Sequence, residues 1–433
     1  MIAEPQKSTR RDHQGAATLK AAKNGYFHSG FALVLVAAAS LLAATFVTAC
    51  ETLTVDFVFV TSAKAAGTEN YGEIDVFEIN SESGRMRPIP TSPFPSAGRN
   101  PVAEAVSADN ENLFVANQDD NTIVQFIIGS DGKLYPYNTV NTPGIYPLAV
   151  TANKSNLFVV DTYQPLPLCS NADPCSGSIA VYSLSTASGN TPVTIGSPAV
   201  NTAVNGTYWP LTLSGAGSAH VIVPTAVTVL ANGSDVYISA YDSSVTPTVG
   251  YVFGFSIGSG GVLTPLGGSP FAAGVKPSAI ASDPSSTYVY ATDFASGNVR
   301  GYKVSSGNLT PLSGSPYASG NQPSAIAVDP SYSYAYVTNS LDGSVAAFSM
   351  SSGVLSRIGT FATGLQPVAL GIDPSTNHFL YTANFLDNTV SGFEITTSTG
   401  SLLDSQFSPY STNAQPTAVA AVPHNGTGAG VQP

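Results

Sequence analysis

The sequence predicts an all-β fold, a seven-bladed β-propeller of four-stranded blades. Three observations carry that prediction. Of 433 residues only 10% are charged, whereas 43% are hydrophobic and there are 40 Gly and 31 Pro, a balance too apolar for disorder and too rich in turn formers for helices. A proline opening a run of the form Pro-x-Ala-apolar recurs at positions 101, 147, 224, 277, 323, 367 and 416, with spacings of 46, 77, 53, 46, 44 and 49 residues. The first six runs are each followed by further short apolar segments separated by polar turns, which is the content of one antiparallel blade.

The elements follow the same order in every unit. After the first strand comes a turn, Asp-Pro-Ser at Asp283, Asp329 and Asp373, with Asp at the first position and Pro at the second of a type I turn. The second strand reads "YAYVTN" at 334–339, with "YVYATD" at 288, "FLYTAN" at 379, "NLFVAN" at 112 and "NLFVVD" at 156 as its counterparts. A polar turn ("SLDG", "FASGN", "FLDN") leads to a third strand ("SVAAFSM", "NVRGYKV", "TVSGFEI"), and a weaker fourth segment such as "LTPLSGSP" closes the unit. Second-and-third-strand pairs occur seven times, beginning with "DFVFVTS" at 56–62 and "EIDVFEI" at 73–79. That first pair lacks a preceding Pro-x-Ala strand, and the strand at 416–422 has nothing after it. The C-terminal strand is therefore expected to be the innermost strand of the first blade, closing the ring and hiding its edges. The blades are expected at about 54–99 with 416–422, then 100–145, 146–222, 223–275, 276–321, 322–365 and 366–414, in one domain over 51–423 with a tail at 424–433.

Residues 1–50 read as an export signal. Lys7, Arg10, Arg11, Lys20 and Lys23 precede the uncharged run at 31–49, which ends at Cys50; a basic segment before an apolar one is the pattern of a signal peptide. "VTAC", residues 47–50, resembles the lipobox of bacterial lipoproteins, which implies lipidation of Cys50 and an extracytoplasmic, lipid-anchored location in the cell envelope. An uncleaved anchor helix or a chance Cys is the alternative. Of three cysteines, Cys169 and Cys175 then remain, close enough in sequence to form a disulfide in an oxidising compartment. With residues 1–50 removed, ten basic residues face 25 acidic ones, a net charge of −15. Nucleic acid is thereby excluded as a partner. No metal-ligand spacing, GxSxG elbow or phosphate-binding loop is present, and no cofactor is expected. "NQDDN" at 117–121 is read as a solvated turn before a Ca²⁺ site.

The "YVTN" at 336–339 and the stretch "LTPLSGSPYASGNQPSAIAVDP" at 309–330 resemble the YVTN-repeat, lactonase-type seven-bladed propellers, a group that includes propeller-type 6-phosphogluconolactonases. The resemblance covers residues 54–423 and implies this fold. Catalytic members gather His, Arg and Glu side chains at the central channel. Beyond residue 50 this chain offers only His220, His378 and His424, none in an inner strand or the residue before one, so that catalytic set does not carry over residue by residue.

A site is expected on the face holding the starts of the first strands and the ends of the second. Both long insertions, "TYQPLPLCSNADPCSG" and "NTAVNGTYWPLTLSGAGSAH" with the single Trp, Trp209, fall there. One ring of positions precedes the repeated prolines: Asn100, Tyr146, Val223, Lys276, Gln322, Gln366 and Gln415. With Trp209 and apart from Val223, these are the expected ligand contacts, and their mostly amide character suits a polar ligand. A second ring ends the second strands: Ser62, Asn117, Asp161, Ala240, Asp293, Asn339 and Asn384; turn capping is its simpler role. At the fourth position of the inner strand six blades carry Val, Ile or Leu and one carries Glu104. A carboxylate there needs a partner, and Arg99 is the nearby candidate. The expected function is recognition of a small polar molecule, glycan or envelope protein by a monomer touching the membrane only through its anchor. The alternative is a lactone hydrolase with Glu104 as base and Arg99 or Lys276 as the positive group.

Overall fold

A computed structural model describes residues 54–63, 71–165, 175–185, 192–213 and 220–424. The expectations for the export signal, for Cys50 and for Cys169 as a disulfide partner lie outside the described residues. All described residues belong to the compact unit Leu53–Pro433. Among them, seven antiparallel sheets form the blades of a propeller. Their innermost strands are Pro416–Pro423, Pro101–Val106, Ile145–Ala152, Ile222–Val229, Pro277–Ser282, Pro323–Val328 and Pro367–Ile372, numbered here blades 1 to 7. Blade 1 pairs the C-terminal strand Pro416–Pro423 with Thr54–Ser62, as the repeat count requires.

The geometry explains both repeated motifs. Proline has no N–H to give to the ladder, and the register slips by one residue between Pro and Ala in all seven blades. The bulge leaves the alanine N–H without a ladder partner. In blade 6 it donates to Thr338 Oγ1 at 2.9 Å, and in blade 5 Ala279 N–H does the same to Thr292. The residue between Pro and Ala points sideways. Ser278 and Ser324 donate to the proline carbonyls of the next blade, Pro323 and Pro367, at 2.5 and 2.6 Å, and Thr417 donates to Pro101 O at 2.9 Å.

The other letters of "YVTN" are used similarly. Tyr336 donates to Gly400 O of blade 7 at 3.1 Å, and Tyr237, Tyr290 and Tyr381 make the same reach to Gly307, Gly353 and Gly84 of the following blade. Val337 is fully buried. Asn339 accepts from the Ser319 hydroxyl at 2.7 Å. Each such bond contributes about 1 kcal/mol net, and each ties one blade to its neighbour or closes its own loop. The motif is a structural fastening. The apolar clusters span blades in the same way, as where Phe114 and Ile123 of blade 2 pack with Leu157, Val159 and Tyr182 of blade 3.

Blades 3 and 4 depart from the repeat. Their inner strands begin two residues ahead of the proline, and their pairing continues past it to Ile145↔Tyr163 and Ile222↔Asp242. These two blades form a raised wall on the face expected to carry the site.

Candidate functional site

On that face lies a cleft of about 390 Å³ lined by residues of blades 2 to 5, including Gln118, Thr162, Thr225, Tyr241, Lys276 and Phe294. Lys276, from the ring of positions before the prolines, lines it, as does Val223, the member of that ring left out of the expected contacts. Gln118, Thr162, Tyr241 and Phe294 come from a third ring, the residue just after each second strand. That ring is not among the positions expected from the sequence; its signal is a residue type that changes from blade to blade next to an almost constant Asn or Asp. A second cleft of about 540 Å³ sits between the first-to-second-strand turns of blades 2 and 3, lined by Asp109, Asn153 and Lys154 among others. Asp109 there is engaged by its own turn, accepting from Ser107 and Glu111, so the larger volume carries less available chemistry.

The cation of the first cleft is held in place. Asp293 accepts the backbone N–H groups of Val275 at 2.9 Å and Lys276 at 3.0 Å. Gly274 has φ +89°, and a Cβ there would come within 2.0 Å of Asp293 Oδ2, so glycine is required for the loop to close on the carboxylate. The Lys276 ammonium stands 5.2 Å from the Tyr241 ring centroid and 5.5 Å from that of Phe294, within cation–π range. Tyr146 and Tyr163 of blade 3 pack edge to face at 6.2 Å. Burial, then the proximity of Tyr163, pushes the Tyr241 hydroxyl above its ordinary range. An aromatic wall thus runs from blade 3 to blade 5.

Four members of the ring before the prolines, Asn100, Tyr146, Gln322 and Gln366, hold positive φ between 51° and 60°. This left-handed backbone costs a non-glycine residue on the order of 1 kcal/mol. Asn100 is tied internally, donating to Gln118 and Asp119 at 3.1 Å. Gln322, Gln366 and Gln415 are partly exposed around the remaining mouth and do not line the cleft. In the ring at the strand ends Asp161, Asp293, Asn339 and Asn384 bond their own or neighbouring turns, whereas the Asn117 side chain is buried with neither polar atom bonded. Asn384 bonds Thr389 and Ser391, and Asp161 accepts Gly144 N–H at 3.1 Å. Burial raises Asp161 to about 7 against the opposing bonds of Thr142 and Gly144.

Two expectations change. Trp209 is 5% exposed, paired opposite Ile179 at the outer part of blade 3 within its apolar cluster; its indole fills a core and does not face a ligand. Arg99 does not reach Glu104. Its Nε and Nη2 lie 2.6 Å from Asp120 Oδ1, and the pair is exposed. The "NQDDN" carboxylates are used the same way, Asp119 by Asn100 and Asp120 by Arg99. Among the described residues, no group of three or more His, Cys, Asp or Glu is arranged to hold a metal.

Glu104 turns into the seam between blades 2 and 1. It accepts the Thr61 hydroxyl through Oε2, and its Oε1 is shielded from water with no partner. Burial raises its carboxyl from 4.5 to about 8, against the opposing bonds of Thr61 and the Ala420 backbone. It is a neutral acid near pH 7, outside the cleft lining.

A further pair was not foreseen. His220, two residues ahead of the inner strand of blade 4, has Nδ1 2.5 Å from Asp242 Oδ2. Asp242 is 1% exposed as a side chain. Burial favours its neutral form, but the Ser244 hydroxyl and His220 outweigh it and hold the carboxyl below its ordinary value. Such a carboxylate fixes the ring and leaves Nε2 as the outward nitrogen.

The sequence pattern of the family described as "Lactonase, 7-bladed beta-propeller" matches residues 66–191 and 307–420, more than half the chain. The chain belongs to that family. Among solved structures, this lactonase-family propeller is similar to a putative 6-phosphogluconolactonase from Bacteroides fragilis, with 19% identity and a TM-score of 0.66 over 86% of this chain and 99% of that one. It is also similar to a periplasmic gluconolactonase from Pseudomonas aeruginosa, at 16% identity and a TM-score of 0.65 over 85% and 99%. A protein from Lactobacillus plantarum gives 17% and 0.63 over 86% and 100%. At these identities the likeness is one of fold. No curated protein matches the chain in sequence.

Proposed function

We propose that this lactonase-family propeller binds a small polyhydroxylated anion, a sugar acid or its lactone, in the cleft at the channel mouth. The observation that carries this is Lys276, held by Asp293 against the rings of Tyr241 and Phe294 in a cleft edged with hydroxyl and amide groups. Aromatic rings offer a flat apolar surface to the C–H face of a sugar. Gln118 keeps its amide donor, and the hydroxyl oxygens of Thr162, Thr225 and Ser278, whose protons go to Tyr146, Ser239 and Pro323, can still accept from the ligand's hydroxyls; the lysine is a point charge for a carboxylate. The names of the structural neighbours, a putative 6-phosphogluconolactonase and a gluconolactonase, support that ligand class. Calorimetric titration of the full chain with gluconate tests the reading. Lys276→Gln is expected to weaken gluconate at least tenfold and glucose little; equal affinities in both proteins would refute it.

Lactone hydrolysis is the second reading, favoured by the His220–Asp242 pair; Glu104, neutral near pH 7 and outside the cleft lining, is not placed to be its base. Water would add to the lactone carbonyl while the base takes its proton. The ring C–O bond would then break, with the proton passing to the leaving alkoxide to give the hydroxy acid. Turnover of 6-phosphogluconolactone and glucono-δ-lactone by the full chain decides whether this step occurs. Turnover lost in His220→Gln and kept in Glu104→Gln would identify His220 as the base, and no turnover in the wild type leaves recognition alone.

The proposal locates the propeller in the cell envelope as a monomer anchored through Cys50, with a Cys169–Cys175 disulfide. Its support is the signal-like sequence of residues 1–50. Palmitate labelling that persists in Cys50→Ser would remove the anchor from the proposal.

A further inference from the structure

The turn between the second and third strands has one construction in blades 2, 6 and 7. An aspartate, Asp120, Asp342 or Asp387, accepts the backbone N–H of the residue two before the proline: Arg99 at 2.7 Å, Asn321 at 2.7 Å and Leu365 at 2.5 Å. The N–H groups of Asp119, Leu341 and Leu386 approach the carbonyls of those same residues at 3.4, 3.4 and 3.3 Å. Nothing in this construction calls for an apolar side chain, since blade 2 builds it with Arg99 and Asp119. Blades 6 and 7 nonetheless present Leu341, Leu365 and Leu386, which are 66%, 60% and 57% exposed. Neither the turn nor the core accounts for them.

Their place on the disc does. The cleft reaches blade 5 at Lys276 and Phe294, and blades 6 and 7 come next around the channel, tied on by the Ser278 and Ser324 links. Phe385, partly buried just before Leu386, occupies in blade 7 the position of Phe294 in blade 5. The rim of blade 2 at the other end of the cleft is charged, with Arg99, Asp119 and Asp120. Exposed leucines are thus added to the polar turn groups of blades 6 and 7, where the equivalent turn of blade 2 carries charges.

We propose that the leucine rim receives the alkyl or acyl tail of a ligand whose polar head lies in the cleft, so that the favoured ligand is an amphiphilic sugar acid or lactone. This rests on the reading of the cleft given above. Apolar surface on the tail and on three exposed leucines leaves water together, which favours binding in proportion to the area covered.

Methyl and octyl β-D-glucuronide, both below micellar concentration, share one head and differ in tail, and are titrated against the full chain. The comparison protein carries Leu341→Asp, Leu365→Asn and Leu386→Asp, residues that the same turns already hold in blades 2 and 6. The wild type is expected to bind the octyl compound at least tenfold more tightly, because each fully covered methylene contributes about fourfold. The variant should bind both equally, with its affinity for the methyl compound unchanged. Equal binding of the two probes by the wild type, or a tail advantage that survives in the variant, overturns the inference. So does a variant whose only change is lost self-association or lost binding to phosphatidylcholine vesicles, which would assign the leucines to a second copy or a lipid surface. If the methyl compound binds through Lys276 without any tail advantage, only this inference fails. If neither compound binds, the reading of the cleft fails with it.

Discussion

Replacing Glu104 by Gln should stabilise the protein at neutral pH and do so far less in acid. In the folded chain the carboxyl titrates at about 8, against 4.5 in a free chain. The native state therefore holds its proton where the unfolded state has lost it. A group raised in this way contributes fully below the unfolded value, and its contribution is lost as pH climbs from 4.5 towards 8. Between pH 5 and pH 7 the wild type forfeits at most about 3 kcal/mol, two pH units at 1.36 kcal/mol each. The carboxyl itself is shielded, and relaxation of the seam around an ionised group reduces this to roughly 1–3 kcal/mol. Glutamine keeps the shape, accepts the Thr61 hydroxyl and never ionises. Urea unfolding at pH 5, 6 and 7 followed by fluorescence of Trp209, the single tryptophan, measures the difference. An advantage that grows with pH is expected. One that is constant, or largest at pH 5, would refute the buried neutral acid.

Asp56 lies where blade 1 meets blade 7, raised to about 8 by burial first and then by a hydrogen bond with Asp373, against the Ser375 hydroxyl. Asp56→Asn should show the same pH trend in urea. Tyr336→Phe leaves Gly400 O without its inter-blade donor and is expected to cost about 1 kcal/mol at every pH, measured by the same unfolding curves. Gly274→Ala forces a side chain into Asp293 at φ +89°. Calorimetry should show gluconate binding weakened about tenfold as the Lys276 loop is displaced, beyond the ~1 kcal/mol of a left-handed alanine. Any hydrolysis of glucono-δ-lactone that uses His220 as base should fall by about a hundredfold or more in His220→Gln; unchanged turnover would exclude that role.

The sequence by itself determined the blade count, the order of strands within each blade and the closure of the ring by residues 416–422, because these depend on local alternation and on turn chemistry that repeats. It also determined which face varies, since both insertions break the repeat there. The tertiary structure decided what the varied residues meet. Arg99 precedes Glu104 by five positions, yet the inner strand carries one into the seam of blade 1 and leaves the other on Asp120 at the rim. Trp209 sits in a long polar insertion, yet it folds back as an outer strand against Ile179. Lys276 gained its setting from Tyr241, Phe294 and Asp293 across two blades, and Leu386 came beside Leu365, 21 positions away, only through the turn of blade 7. Periodicity is written along the chain. The mouth of the channel is assembled from one residue of each turn, some 45 positions apart, and no local rule in the sequence brings those residues together.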